Sequence, residues 1–205
     1  MANLCINSIV FYSSDREALS VLRIYIIGTM APFGSGEVRD LLIKLGYQKR
    51  EAEELAQARN SIVHCNEVEK LDDGAYYLMF QTESAWVPHV EPFEHLLKTR
   101  YANRIKMVYC SEECGMEVYV NTDVQGIFFP ERFLVDCSYK GEYYTLYLDT
   151  YKEVIEWVHE IFPQAKVSLD SDIYEVEQAV EPYAGEGDDY FRLYEFDYGE
   201  ERSAA

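Results

Sequence analysis

Four histidines, five cysteines and the Glu112-Glu113 pair are the side chains on which acid–base, nucleophilic or metal chemistry would draw in this 205-residue chain. His89 and His95 stand six residues apart at the start of an expected helix, which sets them on opposite faces rather than aligned as i, i+4 ligands. His159 falls between Val158 and Glu160 on another expected helix, the ordinary place of a solvated surface histidine, and His64 has no partner motif. Cys110 and Cys114 flank an expected hairpin turn, with Cys137 further along, but no CxxC and no second ligand pair accompanies them. Small packing residues on strands are the expectation for these thiols. Glu112 and Glu113 diverge in direction as neighbours do, and a turn is their ordinary home. The motifs GxSxG, GxxxxGK[ST] and GxGxxG do not occur. No catalytic residue, metal or cofactor is expected, and the chain is not read as an enzyme.

The charge points elsewhere. Thirty-seven acids against 18 bases give a net charge of −19, a field that repels nucleic acid and anionic membrane and attracts a basic partner. More than half of the excess lies between Asp170 and Glu201, where 12 acids face the single base Arg192. Tyr174, Tyr183, Tyr190, Phe191, Tyr194, Phe196 and Tyr198 interleave with these carboxylates, so the segment is built to pack as well as to repel. The remaining bases are dispersed apart from Lys49-Arg50 and Lys98/Arg100, which is no phosphate-binding stripe. An odd, scattered set of cysteines (Cys5 and Cys65 complete it) fits a reducing compartment, and no run reaches the ~18 apolar residues of a membrane span. A cytoplasmic protein of a bacterial host cell is expected, with no membrane and no direct nucleic-acid partner.

The elements that must position these groups follow from periodicity. Residues 4 to 12 alternate, with Cys5, Asn7, Ile9 and Phe11 on one side of a first strand. Ser14 to Glu17 reads as a capping box for a helix with Ala18, Leu22 and Tyr25 inward, broken at Gly28. Residues 35 to 64 are expected as an inserted helical hairpin, with Val38, Leu41, Leu42 and Leu45 as a stripe and Gly46 as its stop. Ala75 to Gln81 then reads as a strand and Pro88 to Tyr101 as a helix. Arg104 to Tyr109 with Met116 to Thr122, and Arg132 to Tyr139 with Glu142 to Leu148, read as two hairpins in series. Thr150 to Glu153 is a capping box for a helix that Pro163 ends, and Val167, Leu169 and Ile173 suggest a further strand. In Leu193 to Tyr198 the alternation puts Tyr194, Phe196 and Tyr198 inward and Glu195 and Asp197 outward.

Three segments occur in order: Ala2 to Asn7, Phe80-Gln81-Thr82 leading to Ala85-Trp86 and Pro88, and Ser111 to Met116. Together they resemble the plasmid YubB ferredoxin-like domain family over residues 2 to 122. The resemblance implies an α+β fold and a phage, plasmid or other mobile-element setting; it transfers no catalytic residue. The expected architecture is a ferredoxin-like core with added antiparallel β-hairpins and the helical insert. Residues 1–165 would form that domain, and an acidic, aromatic segment at 166–205 would pack on it.

Two functions follow. The first is a non-enzymatic acidic inhibitor that mimics nucleic acid and fills the basic channel of a host defence nuclease, in the manner of an anti-CRISPR or anti-restriction protein. Carboxylates on every second strand residue repeat at about 6.6 Å and would meet Lys and Arg side chains arranged for phosphates. Its partner-binding face is expected at Asp170, Asp172, Glu175, Glu177, Glu186, Asp188, Asp189, Glu195 and Asp197. The alternative is a ferredoxin-like scaffold or small-ligand-binding domain with a pocket at Trp86, Pro88, Glu113, Gly115 and Met116.

Overall fold

In the computed structural model, which describes residues 3–31, 33–56, 59–184 and 189–198, the N-terminal alternation becomes β1, Leu4–Ser13, with Cys5, Asn7, Ile9 and Phe11 all buried. Helix α1 (Arg16–Met30) follows, and its N-cap is Asp15 rather than Ser14. Asp15 is the last residue before helical backbone, and its carboxylate accepts the Ala18 N–H at 3.0 Å. Gly28 does not stop the helix, because it faces open space and interrupts no packing. Leu19, Leu22 and Ile26 form its inner face; Tyr25 points outward.

A short strand β2 (Gly36–Glu37) leads into α2 (Val38–Lys44) and α3 (Lys49–Leu55), the expected helical hairpin. A Cβ on Gly36 would lie 2.5 Å from the Thr29 carbonyl oxygen, so only glycine lets this strand pass α1. The insert ends earlier than 64. Asn60–Lys70 is strand β3, hidden from period-two reading by register shifts between Ile62 and His64 and between Cys65 and Val68. Then come β4 (Tyr76–Ala85), α4 (Glu91–Tyr101), β5 (Lys106–Glu113) and β6 (Val118–Asn121).

These strands form one antiparallel sheet in the order β2-β3-β4-β1-β5-β6. Without β2 and β6 the succession β1-α1-β3-β4-α4-β5 and the order β3-β4-β1-β5 are the split β-α-β pattern of ferredoxin-like folds. The protein is therefore α+β with a ferredoxin-like core. That core closes on Phe11, Phe80 and Phe93, three buried rings in edge-to-face contact with centroids 4.9 to 6.1 Å apart.

The chain divides at Thr122/Asp123 into two compact units, not at 165/166. In the second unit β7 (Phe133–Tyr139) pairs with β8 (Glu142–Leu148) on one side and with β9 (Tyr190–Glu195) on the other. The second hairpin therefore does not extend the first sheet. It supplies the surface on which α5 (Tyr151–Ile161) and α6 (Ile173–Ala184) bury Val154, Val158, Val176 and Val180 against Val135, Cys137, Phe191 and Leu193. The acidic segment is thus half of this second core rather than an appendage, which explains why the boundary moves.

The box at Thr150 and Glu153 is present and starts α5. Two other expectations fail in this unit. Residues 167 to 173 form no strand: Val167 is buried singly, a turn follows at Leu169 and Asp170, and helix begins at Ile173. In β9 the inward residues are Phe191 and Leu193, so Tyr194 lies on the opposite face. Phe196 is buried beyond the strand's end, and Tyr198 lies under the Arg132 guanidinium at 4.8 Å. Among the described residues no helix is long and apolar enough to cross a membrane.

The two tryptophans, Trp86 and Trp157, fall one in each unit, so a Trp157→Phe background lets Trp86 report the first unit alone. In that background Phe93→Ala is expected to lower the unfolding free energy by about 3 to 5 kcal/mol in urea titrations. A loss below about 1 kcal/mol would mean that the three-ring cluster does not hold α4 to the sheet.

Candidate functional site

The nine expected partner-binding acids separate into distinct tasks. Asp172 and Glu175 form a reciprocal capping box: Glu175 N–H donates to Asp172 Oδ1 at 2.8 Å, and Asp172 N–H donates to Glu175 Oε2 at 3.0 Å. This box starts α6. Two residues after Glu175, Glu177 Oε1 accepts the Leu193 N–H at 2.9 Å on the outer edge of β9, a donor that β7 leaves unpaired. Asp189 Oδ2 accepts the Lys140 N–H at 3.0 Å and holds the tight β7–β8 turn, where Lys140 and Gly141 both have positive φ. Asp170, Glu195 and Asp197 are exposed, and Glu186 and Asp188 lie outside the described residues.

Two acidic groupings result. Burial pushes the Tyr151 phenol up, and the negative charges of Asp172, Glu175 and Glu195 push the same way, so all three carboxylates lie within electrostatic reach of one phenol. The Tyr151 hydroxyl donates to the Ser171 carbonyl at the entry to α6. The second grouping is a hollow of about 400 Å³ between α6 and β9, edged by Glu177, Glu181 and Asp189. Its walls include Tyr174, Tyr190 and Phe191, with Arg192 as a base on its rim. Period-two reading of this segment leaves Glu181 out of the expected face and gives Tyr174 no place in a site, because the residues form a helix. Their signal was there: 174, 177, 178 and 181 follow i, i+3, i+4, i+7 and share one face. The expected strand-borne ladder of carboxylates does not form, since β9 ends at Glu195.

The alternative residues meet around Asn3. The Trp86 N–H donates to the Asn3 carbonyl at 3.2 Å, and a Cβ on Gly115 would lie 2.2 Å from Asn3 Nδ2, so the Asn3 side chain fills the space that Gly115 leaves open. Trp86 holds a positive φ of 70°, uncommon for a bulky residue, and is nearly half exposed. Met116 is exposed as well. Glu113 is buried and turned into its own loop, where it accepts the N–H groups of Gly115 and Met116. The carboxylate is occupied in shaping the turn. Pro88 is half-buried in the segment between β4 and α4.

The thiols divide by environment. Burial pushes Cys5, Cys65 and Cys137 each up to about 11, with the charges of Glu113 and Glu112 adding to the shift at Cys5. These thiols are protonated at neutral pH and are poor nucleophiles. Cys114 is exposed on the β5–β6 turn. Among the described residues no three His, Cys, Asp or Glu side chains converge as metal ligands would.

Alkylation by iodoacetamide at pH 8 is expected to modify Cys114 first, with Cys5 and Cys137 labelled only after urea unfolding; mass spectrometry of digested samples reads the order. Because their folded values are raised, the thiols of Cys5, Cys65 and Cys137 contribute stability in full below about pH 9, their ordinary value, and lose it as pH rises towards 11. Rapid labelling of Cys5 in the folded protein would contradict its burial.

No family model, no curated protein and no solved structure matches this chain.

Proposed function

We propose that the chain is an acidic protein-binding module whose second unit occupies the basic, nucleic-acid-accepting surface of another protein. The observation that carries this reading is the hollow between α6 and β9, whose border brings Glu177, Glu181 and Asp189 together with Tyr174, Tyr190 and Phe191 and which has room for a Lys or Arg side chain beside Arg192. An ammonium or guanidinium entering it would be met by charge-assisted bonds from Glu181 and by ring faces from Tyr174 and Tyr190. Glu177 and Glu181 lie four residues apart on α6, about 6 Å along the axis, so the charges are displayed on a rigid helix. A partner whose cationic channel is filled in this way is closed to nucleic acid by occupancy, with no chemistry required. The mobile-element setting implied by residues 2 to 122 makes a host defence nuclease the partner class to try first.

The observation that favours a second reading is the strained, half-exposed Trp86 held by Asn3. Under that reading the ferredoxin-like unit is a scaffold that offers Trp86 and Met116 to a small apolar ligand.

The two are separated by charge reversal at acids that hold no backbone group in place. A triple Asp170→Lys, Glu181→Lys, Glu195→Lys variant is expected to keep its melting temperature within a few degrees and to lose at least about tenfold in affinity for a defence nuclease pulled down with the parent chain from bacterial lysate at low salt, whereas Trp86→Ala keeps it. Affinity of the unmodified chain should fall steeply between low and high salt, as measured by calorimetry. If the triple variant binds as tightly as the parent, or if salt has no effect, the acidic reading fails and Trp86 is the place to look.

A further inference from the structure

We propose that the chain associates with a second copy of itself through the outer face of α1. Between Ala18 and Ala31 this helix carries a single charged residue, Arg23, which is already engaged by the Asn66 carbonyl at 2.7 Å and by the Glu67 carboxylate. Its inner face is buried in the first core, yet its outer face is also apolar: Val21, Ile24 and Ile27 are exposed, Ile24 to 67%. A helix that is apolar all round is normally covered on every side.

The patch continues beyond the helix. Lys44 donates to the Gly28 carbonyl, which brings α2 alongside, and a hollow of about 490 Å³ there is bordered by Ile43 and by Phe33, itself 90% exposed. Taken together, the exposed parts of Val21, Ile24, Ile27, Phe33 and Ile43 amount to roughly 500 Å² of apolar surface, at the upper end for an isolated monomer. A standard interface takes about 800 Å² from each partner, some 65% of it apolar in homodimers, which is about the same amount.

The matching apolar area selects the second copy as the occupant, and the charge does not oppose it at this face. At a net −19, two copies repel wherever their acidic surfaces approach, and this face is the part of α1 that carries little charge to oppose association. A two-fold contact centred on Ile24 runs the two helices antiparallel. Glu17, seven residues before Ile24, then lies towards the opposite copy's 28–31 end, where Lys44 sits on the Gly28 carbonyl. Glu17 of one copy is thus matched to Lys44 of the other across the axis, with Glu37 and Asp40 bordering the hollow beside that lysine. Gly28, with open space where a Cβ would be, allows the close approach.

Sedimentation equilibrium of the full chain from roughly 1 to 100 μM tests the proposal. The expected mass is twice 23.9 kDa, held or strengthened at high salt because the contact is apolar. Ile24→Glu should weaken association about 100-fold with an unchanged circular dichroism spectrum. Phe33→Ser, at a side chain that packs on almost nothing within its own chain, decides the matter if Ile24→Glu fails to fold. A monomer at the highest concentration, a dimer that salt dissociates, or a dimer insensitive to the substitution that folds would each overturn the proposal. So would a monomer that captures a different protein through α1.

Discussion

A primary amide buried at the centre of a sheet must have its hydrogen bonds met inside the protein, and Asn7 imposes that condition on the first unit. It lies on β1, the strand flanked by β4 and β5, and is fully buried. Its Nδ2 donates to Ser84 Oγ at 2.9 Å and Thr82 Oγ1 at 3.2 Å, while its Oδ1 accepts from Ser111 Oγ at 2.8 Å. Asn7 pairs with Thr82 on one side and Ser111 on the other, so one side chain ties three strands in a single register. A slip of either neighbour by one residue would turn its hydroxyl to the other face and leave the amide unpaired, a loss of about 1 to 3 kcal/mol. The rest of this unit is arranged around that register, including the Phe11, Phe80 and Phe93 cluster further along the same face.

The second unit meets a different constraint. A three-stranded sheet with β9 at its edge exposes unpaired donors, and its helices begin with N–H groups that need acceptors. Carboxylates answer both needs. Asp172 and Glu175 start α6, Glu177 closes the β9 edge and Asp189 holds the β7–β8 turn. Each such bond is worth about 0.5 to 2 kcal/mol, comparable to the repulsion that a crowded acidic surface costs. Much of the charge that looks like a binding surface in the sequence is thus also structural. The proposed contact surface shrinks to the acids that accept no backbone N–H among the described residues, with Glu181 one of them.

The aromatic residues of this unit complete the arrangement. Trp157, Phe162 and Phe191 lie within 6.3 Å of one another, centroid to centroid, and bury enough area to hold together a small core whose surface repels itself. Tyr151 and Tyr190 belong to both sides: their rings pack while their hydroxyls bond to Ser171 and Asp136 among the carboxylates. An acidic segment without these rings would have no reason to fold.

Local chemistry made much of the fold legible. Period-two alternation determined β1, the Thr150/Glu153 box determined the start of α5, and turn residues at Lys140-Gly141 determined the β7–β8 hairpin, because each signal lies within a few consecutive residues. The charge and its position near the C-terminus were likewise plain in the residues alone. What alternation could not reveal was β3, whose register shifts break the pattern, or the face of β9, where Phe191 and Leu193 face the core because α6 packs there. The split at Thr122 and the hollow of Glu177, Glu181 and Asp189 came only with tertiary structure. The split depends on which strands pair across 50 or more residues, as β7 does with β9, and the hollow depends on that same pairing bringing β9 back beside α6; local spacing marks one face of α6 but not what faces it.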